Sequence, residues 1–350
     1  MSLDTQKVLK TLNPRKVWIP VIIGIGIVFA MIWSDPNLTG EKLRLISEAS
    51  PESLLGALLI ILCRDAGYIF RIRILTGKQL SWLSSLYVII LWEFASAVTP
   101  SVVGGTAVAV FILYKEGLSL GSALAYAMLS AVLDNLFFVL AAPMAVLLSD
   151  GQVFPDLGSA QVELGTTLEY LFYISYSLIT IYTLVMAFAL FSRPRALKWL
   201  LIKATSIGFM RKFRHGAVNR GNEIIMASRQ LKGRGFKYWL LISLATLFVW
   251  SARYLTLNAV MGAFVDLSFS QHYLVFARQI VMWITMLISP TPGAAGTAEI
   301  IFQQFFSDFL GDFTFTSNIL WRSLTYYPYL ILGAIVLPKW LRRVFVQRKK

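Results

Sequence analysis

The sequence predicts an all-α polytopic membrane protein. It predicts an inverted repeat of span–re-entrant hairpin–span units, with both termini in the cytoplasm. Three observations lead there. Of 350 residues, 57% are hydrophobic and only 14% charged, with a mean hydropathy of +0.67, far too little charge for a soluble chain of this size. The apolar residues fall in runs of bilayer length. Two of these runs are broken by proline and small residues, at Thr99-Pro100-Ser101-Val102-Val103-Gly104-Gly105 and at Ser289-Pro290-Thr291-Pro292-Gly293-Ala294-Ala295-Gly296. Broken backbone at membrane depth survives only where it is buried in protein or lines a wet cavity.

In chain order, apolar runs fall at about 17–33, 54–70, 82–98, 120–148, 168–191, 238–261, 273–288 and 319–337, each near the ~20 residues that a helix needs to cross a hydrocarbon core. Shorter pieces at 107–114 and 297–309 follow the breaks. The first run lacks a small-residue cleavage site and precedes a charged loop, so it reads as a retained span. Orientation follows from the basic residues. The N-terminal tail, the 71–81 and 115 turns, the 192–237 loop and the tail from Lys339 hold 26 of the 32 lysines and arginines. Consistent threading puts all of these segments on one side, opposite loops rich in acids such as Asp150, Asp156, Glu163, Asp308 and Asp312. By the positive-inside rule that side is the cytoplasm. The net charge of +14 therefore reports membrane orientation, and no nucleic-acid partner is expected.

The same threading turns both broken runs into hairpins. Run 82–98 enters from inside, yet Lys115 is again at a cytoplasmic turn, so 82–114 goes in and comes back. Stretch 273–309 enters from outside and returns. Repeat 1 spans about 54–148 and repeat 2 about 238–337, joined by the linking span 168–191 and the basic loop 192–237, within one transmembrane domain. Gly105-Thr106-Ala107 aligns with Gly296-Thr297-Ala298, Phe111 with Phe302 and Trp92 with Trp283, all at an offset of 191. Inverted repeats of this kind place substrate near the midplane, where broken helices meet. Within the loop, 195–203 interleaves Trp and Leu with cations, which suits either a helix at headgroup level or a solvated basic segment.

Several chemistries are excluded. A single cysteine, Cys63, rules out an intramolecular disulfide, and its apolar run suggests a buried, inert thiol. His215 and His272 are far apart with no Cys/His cluster, so no metal site is expected. Walker, dinucleotide and Gly-x-Ser-x-Gly motifs are absent, and no cofactor or enzyme activity is expected.

Function should lie in the charges left inside the apolar runs: Arg64, Arg253, Arg278 and Arg322 against Asp65, Glu93, Asp134 and Glu299. Such groups turn inward to pair or to meet water. Arg278 lies near its span's outer end and is expected to snorkel. Arg253 lies near mid-span. Arg322 and Tyr326, four residues apart, share a helix face. Asp134 suits an arginine partner or, with Asn135, a structural hydrogen bond. Arg64 with Asp65 suits a functional pair or a snorkelling one. Glu299 opens a helix, where it could cap or bind. Freed N–H groups at Gly104, Gly105 and Thr106, and at Gly293, Gly296 and Thr297, could receive a phosphate. Guanidiniums, helix N-termini and tyrosines together favour an anionic headgroup, and the apolar walls would tolerate its tails.

Pro290-Thr291-Pro292-Gly293-Ala294-Ala295-Gly296-Thr297-Ala298-Glu299, followed by Arg322-x-x-x-Tyr326-x-Pro328, resembles the lysylphosphatidylglycerol synthase transmembrane region, or flippase-like domain family. The family pattern is Pro-Thr-Pro-Gly-Gly-x-Gly-x-x-Glu. Here Ala294 replaces its second glycine, and Thr106 stands where the first hairpin commonly carries an acid. The resemblance implies movement of lipids between leaflets: anionic or aminoacylated phospholipids, or polyprenyl-phosphate-linked lipids. With the chain ending at Lys350, it implies a stand-alone flippase or scramblase without aminoacyl transfer, in a bacterial inner membrane. The expected partners are membrane lipids, and self-association is compatible with this architecture. The alternatives are a secondary transporter of a small anion and an accessory protein in lipid-linked glycan synthesis.

Overall fold

Serines set where the helices begin. The computed structural model describes residues 44–99, 102–155, 162–206, 208–288, 294 and 296–345. The expected first span at 17–33 and Gly293 lie outside the described residues, as do Pro100, Ser101 and most of the second break. Ser50, Ser81, Ser119 and Ser268 each accept a backbone N–H from three residues on, and so start α1 (Pro51–Leu75), α2 (Trp82–Val98), α4 (Leu120–Leu148) and α9 (Phe269–Thr285). Each such cap stabilises its helix by about 1 kcal/mol. The other helices are α3 (Val102–Lys115), α5 (Val162–Ala187), α6 (Pro194–Ala204), α7 (Arg214–Leu231), α8 (Phe236–Met261), α10 (Thr297–Leu310), α11 (Thr314–Thr325) and α12 (Tyr327–Phe345). Short 3₁₀ or π turns complete the described residues, and no strand occurs among them.

Helices α1, α4, α5 and α8 are long and apolar enough to cross a membrane, as is the interrupted stretch from α10 to α12. This is an all-helical, multi-pass membrane protein. Helices α2 and α3 are shorter, with 17 and 14 residues, or about 25 and 21 Å at 1.5 Å per residue. They fall short of the ~30 Å hydrocarbon core.

Three elements depart from the sequence expectation. Helix α1 runs a turn past the apolar stretch ending at 70 and takes in Arg71 and Arg73, because hydropathy ends at an arginine while helix propensity does not. The last span is two helices, broken at Tyr326 (φ −128°). Pro328, just beyond, has no N–H to continue the ladder. The 192–237 loop folds into α6 and α7, with Trp199 and Leu200 of α6 exposed and Lys203 lying 4.7 Å from the Trp199 ring. That geometry matches the headgroup-level reading of the segment.

The contacts fall in pairs. Helix α1 packs along α8. Helix α2 packs on α12 while α9 packs on α4, α2 and α3 pair as do α9 and α10, and α3 meets α4 as α10 meets α11. Two bundle ends result. At one, Tyr238 donates to the Leu75 carbonyl (2.9 Å) and Trp340 to Glu116 (2.7 Å). At the other, Ser50 N–H donates to the Ala263 carbonyl (2.8 Å) and Arg278 to the Gln152 carbonyl (3.1 Å). The outer surface is apolar: Leu55, Leu58, Leu59 and Leu62 form an exposed stripe on α1 at helical spacing. Cys63 lies beside it and is exposed, not buried as its apolar run suggested. Hydropathy does not separate a protein interior from a lipid face.

Candidate functional site

Helix α1 carries Arg64, Tyr68 and Arg71 on one face, spaced by four and three residues, toward the centre of the bundle. Arg64 is fully buried. Its Nε and Nη2 donate to Asp65 (3.0 and 2.7 Å), Nη2 donates to the Tyr329 phenol (2.5 Å), and that phenol donates to Asp65 (2.8 Å). Snorkelling is thus replaced by pairing across α1 and α12. Arg71 is also buried and donates to Asp134 (2.6 Å) and to Ser130 Oγ (2.5 Å), while Trp250 Nε1 donates to the same carboxylate (2.7 Å). Asp134 therefore has an arginine partner, though one that the sequence had assigned to a turn. Its spacing from Arg64 was the available signal.

Arg278 does not snorkel. It is buried, and its Nη1 donates to both oxygens of Asp308 (2.8 and 2.7 Å) and to the Phe305 carbonyl (2.7 Å), tying α9 to α10. The acid was counted among the outer-loop charges because it lies at the end of an apolar stretch. Four arginines and four carboxylates still surround the centre, with Arg71 in place of Arg278.

At the second break, Gly296 takes φ +84°, a left-handed conformation open to glycine, and its N–H donates to Glu299 Oε2 (2.7 Å). The other oxygen, Oε1, accepts from Arg322 Nε (2.7 Å). Glu299 both caps α10 and holds Arg322. The guanidinium lies 4.3 Å from the Tyr326 ring, and the Tyr326 phenol donates to the Ala97 carbonyl (3.2 Å) in the last turn of α2. A continuous chain of contacts thus joins the tips of the two hairpins.

Between the tips lies a cavity of about 350 Å³. Ala97, Thr99 and Thr106 line it from the first hairpin, and Ala294 and Ala298 from the second. Of the expected site residues, Glu93, Asp134, Arg253, Arg322 and Tyr326 line it, while Arg64 stands behind Glu93 and Glu299 behind Arg322. The small residues of the breaks do not line it. A Cβ at Gly105 would lie 2.4 Å from Ser96 Oγ, so this glycine lets α3 pass close to α2. Gly104 lies inside α3, the Gly296 N–H is taken by Glu299, and Thr297 opens α10 away from the lining. Sequence reasoning missed Tyr68, Arg71, Trp92, Trp250 and Tyr329 as lining residues. Tyr329 could have been found at seven residues from Arg322, two turns along the same face.

The family model for the lysylphosphatidylglycerol synthase TM region matches residues 17–333. The chain belongs to this family. The match takes in both hairpins and every residue that lines the cavity, from Tyr68 to Tyr329. A UPF0104 membrane protein of Archaeoglobus fulgidus is 26% identical over 268 residues, covering 74% of this chain and 76% of that protein. The family pattern also explains a local strain. Ala294, where glycine is usual, sits at φ +54° and turns its methyl toward the cavity.

Proposed function

We propose that this protein moves phosphate-bearing lipids between leaflets, the headgroup crossing through the central cavity and the tails remaining outside in lipid. The candidates are anionic or aminoacylated phospholipids and polyprenyl-phosphate-linked lipids. One observation carries the reading: the cavity is charged, sits where both hairpin tips meet, and belongs to a bundle whose outer face is apolar. At about 350 Å³ it is near the small end of the ~300–1,000 Å³ typical of small-molecule sites, room for a headgroup and not for a pair of acyl chains. The paired contacts of the two halves support an inverted repeat, and rocking of one half against the other would expose the cavity alternately. Each half places one hairpin tip at the cavity, so such a motion moves both walls at once.

The lipids retained through detergent extraction test this. Mass spectrometry should find phosphate-bearing lipid on the wild-type protein, depleted by about tenfold or more in Arg322→Ala, since charge-assisted hydrogen bonds contribute about 1.5–3 kcal/mol. Equal retention by the two proteins would contradict a headgroup in the cavity. Uptake of a small soluble anion into protein-containing vesicles, with no lipid retained, would favour the secondary-transporter reading instead.

A further inference from the structure

We infer that Arg253 and Glu93 form a subsite for a headgroup that carries both a phosphodiester and an ammonium group, the phosphate on Arg253 and the ammonium on Glu93. The inference rests on the proposed passage of lipid headgroups through the cavity, and two observations lead to it.

The first is availability. Arg64, Arg71 and Arg322 are each buried and held by a carboxylate at 2.6–2.7 Å. Arg253 differs. Its Nη1 stands 3.7 Å from Glu93 Oε1, beyond hydrogen-bond range, and its side chain keeps 27% of its exposure. Glu93 is shared, with Arg64 Nη2 also 3.7 Å away. Both side chains line the cavity. This is the pair that can open without breaking a short ionic hydrogen bond.

The second is charge. Around the cavity, Arg64, Arg71, Arg253 and Arg322 face Asp65, Glu93, Asp134 and Glu299, a balanced set. A headgroup with net negative charge would add an uncompensated ion to a site walled by Trp92, Trp250 and Trp283. A zwitterion adds none. Its phosphate takes a guanidinium that offers paired N–H donors, and its ammonium donates to a carboxylate that only accepts. One loose contact is replaced by two charge-assisted ones. Glu93 then discriminates headgroups, and Arg253 binds the phosphate common to all of them.

The cavity tryptophans supply the readout. The full-length protein in detergent is titrated with dihexanoyl-phosphatidylethanolamine and dihexanoyl-phosphatidylglycerol, following intrinsic fluorescence. The wild type should bind the ethanolamine lipid about tenfold more tightly, the effect of one charge-assisted hydrogen bond. Glu93→Gln should bring the two within about twofold by weakening the ethanolamine lipid alone. Arg253→Ala should weaken both by about tenfold, while Arg253→Lys, which keeps the charge, should preserve their order. Equal affinities in the wild type, or an unchanged ratio in Glu93→Gln, would overturn the assignment. Discrimination without movement of labelled lipid across vesicles would refute the transport reading and leave this site standing. Movement without discrimination would do the reverse.

Discussion

Arg71 and Asp134 set the residue-scale terms on which charge survives inside this bundle. The guanidinium is almost fully buried, and its short contacts to Asp134 and Ser130 replace the water it has lost. The indole N–H of Trp250 completes the carboxylate's shell. Removing one partner leaves the other buried and unpaired, so Arg71→Ala should cost about 3–5 kcal/mol and lower the melting temperature in detergent substantially. Arg71→Met with Asp134→Leu should recover most of that loss, because both charges then leave together. A double variant no more stable than Arg71→Ala would refute the coupling. At this scale the sequence was half legible. Arg253, Arg322 and Glu93 were found because they interrupt apolar runs. Arg71 was hidden because it stands at the end of one, where a basic residue is also the ordinary flank of a span. Arg278 was misjudged for the same reason at the opposite end, since nothing local shows that Asp308 folds back onto it.

At the scale of elements, each hairpin is tied to the other half of the molecule near its base. Arg343 of α12 reaches Glu116, Ser84 and the Tyr87 ring, while Trp340 donates to Glu116, which fastens the C-terminal helix over the first hairpin. At the opposite end, Arg278 of α9 holds Asp308 and the Gln152 carbonyl beyond α4. Opening toward either face requires one of these ties to part. In a Cys63→Ser background, a cysteine replacing buried Ser84 should be protected from aqueous thiol reagents. Adding Arg343→Ala should speed its labelling by about tenfold, as expected when ~1.4 kcal/mol is lost from a local opening equilibrium. Unchanged labelling would show that the tie does not restrain the helix. The helices themselves were readable from hydropathy, and α2 and α4 fall at the expected bounds. The break at Tyr326 and the two helices of the basic loop were not, since Pro328 sits inside an apolar run and α6 and α7 are amphipathic or polar.

For the whole molecule, the threading of basic and acidic ends, the balanced charges and the two breaks all meet at one cavity. Composition gave the solvent, and the breaks gave the place where the solvent rule is relaxed. The breaks' own glycines proved to serve backbone packing and capping, because a carboxylate or a neighbouring helix occupies the space that a ligand would need. The ligand-facing chemistry lies instead on the intact helices α1, α2, α8 and α11, to which Arg71, Glu93, Arg253 and Arg322 belong. Function in this account is a property of the assembled centre, which no single helix holds alone.

The most direct measurement is the movement of labelled phospholipid across liposomes that contain the purified protein, read as the fraction quenched by an impermeant reductant. Wild-type vesicles should expose inner-leaflet lipid well above protein-free vesicles. Arg322→Ala and Glu299→Gln, which cut the chain of contacts between the hairpin tips, should fall by about tenfold or more. Wild-type movement equal to that of empty vesicles, or full activity in both variants, would contradict the account.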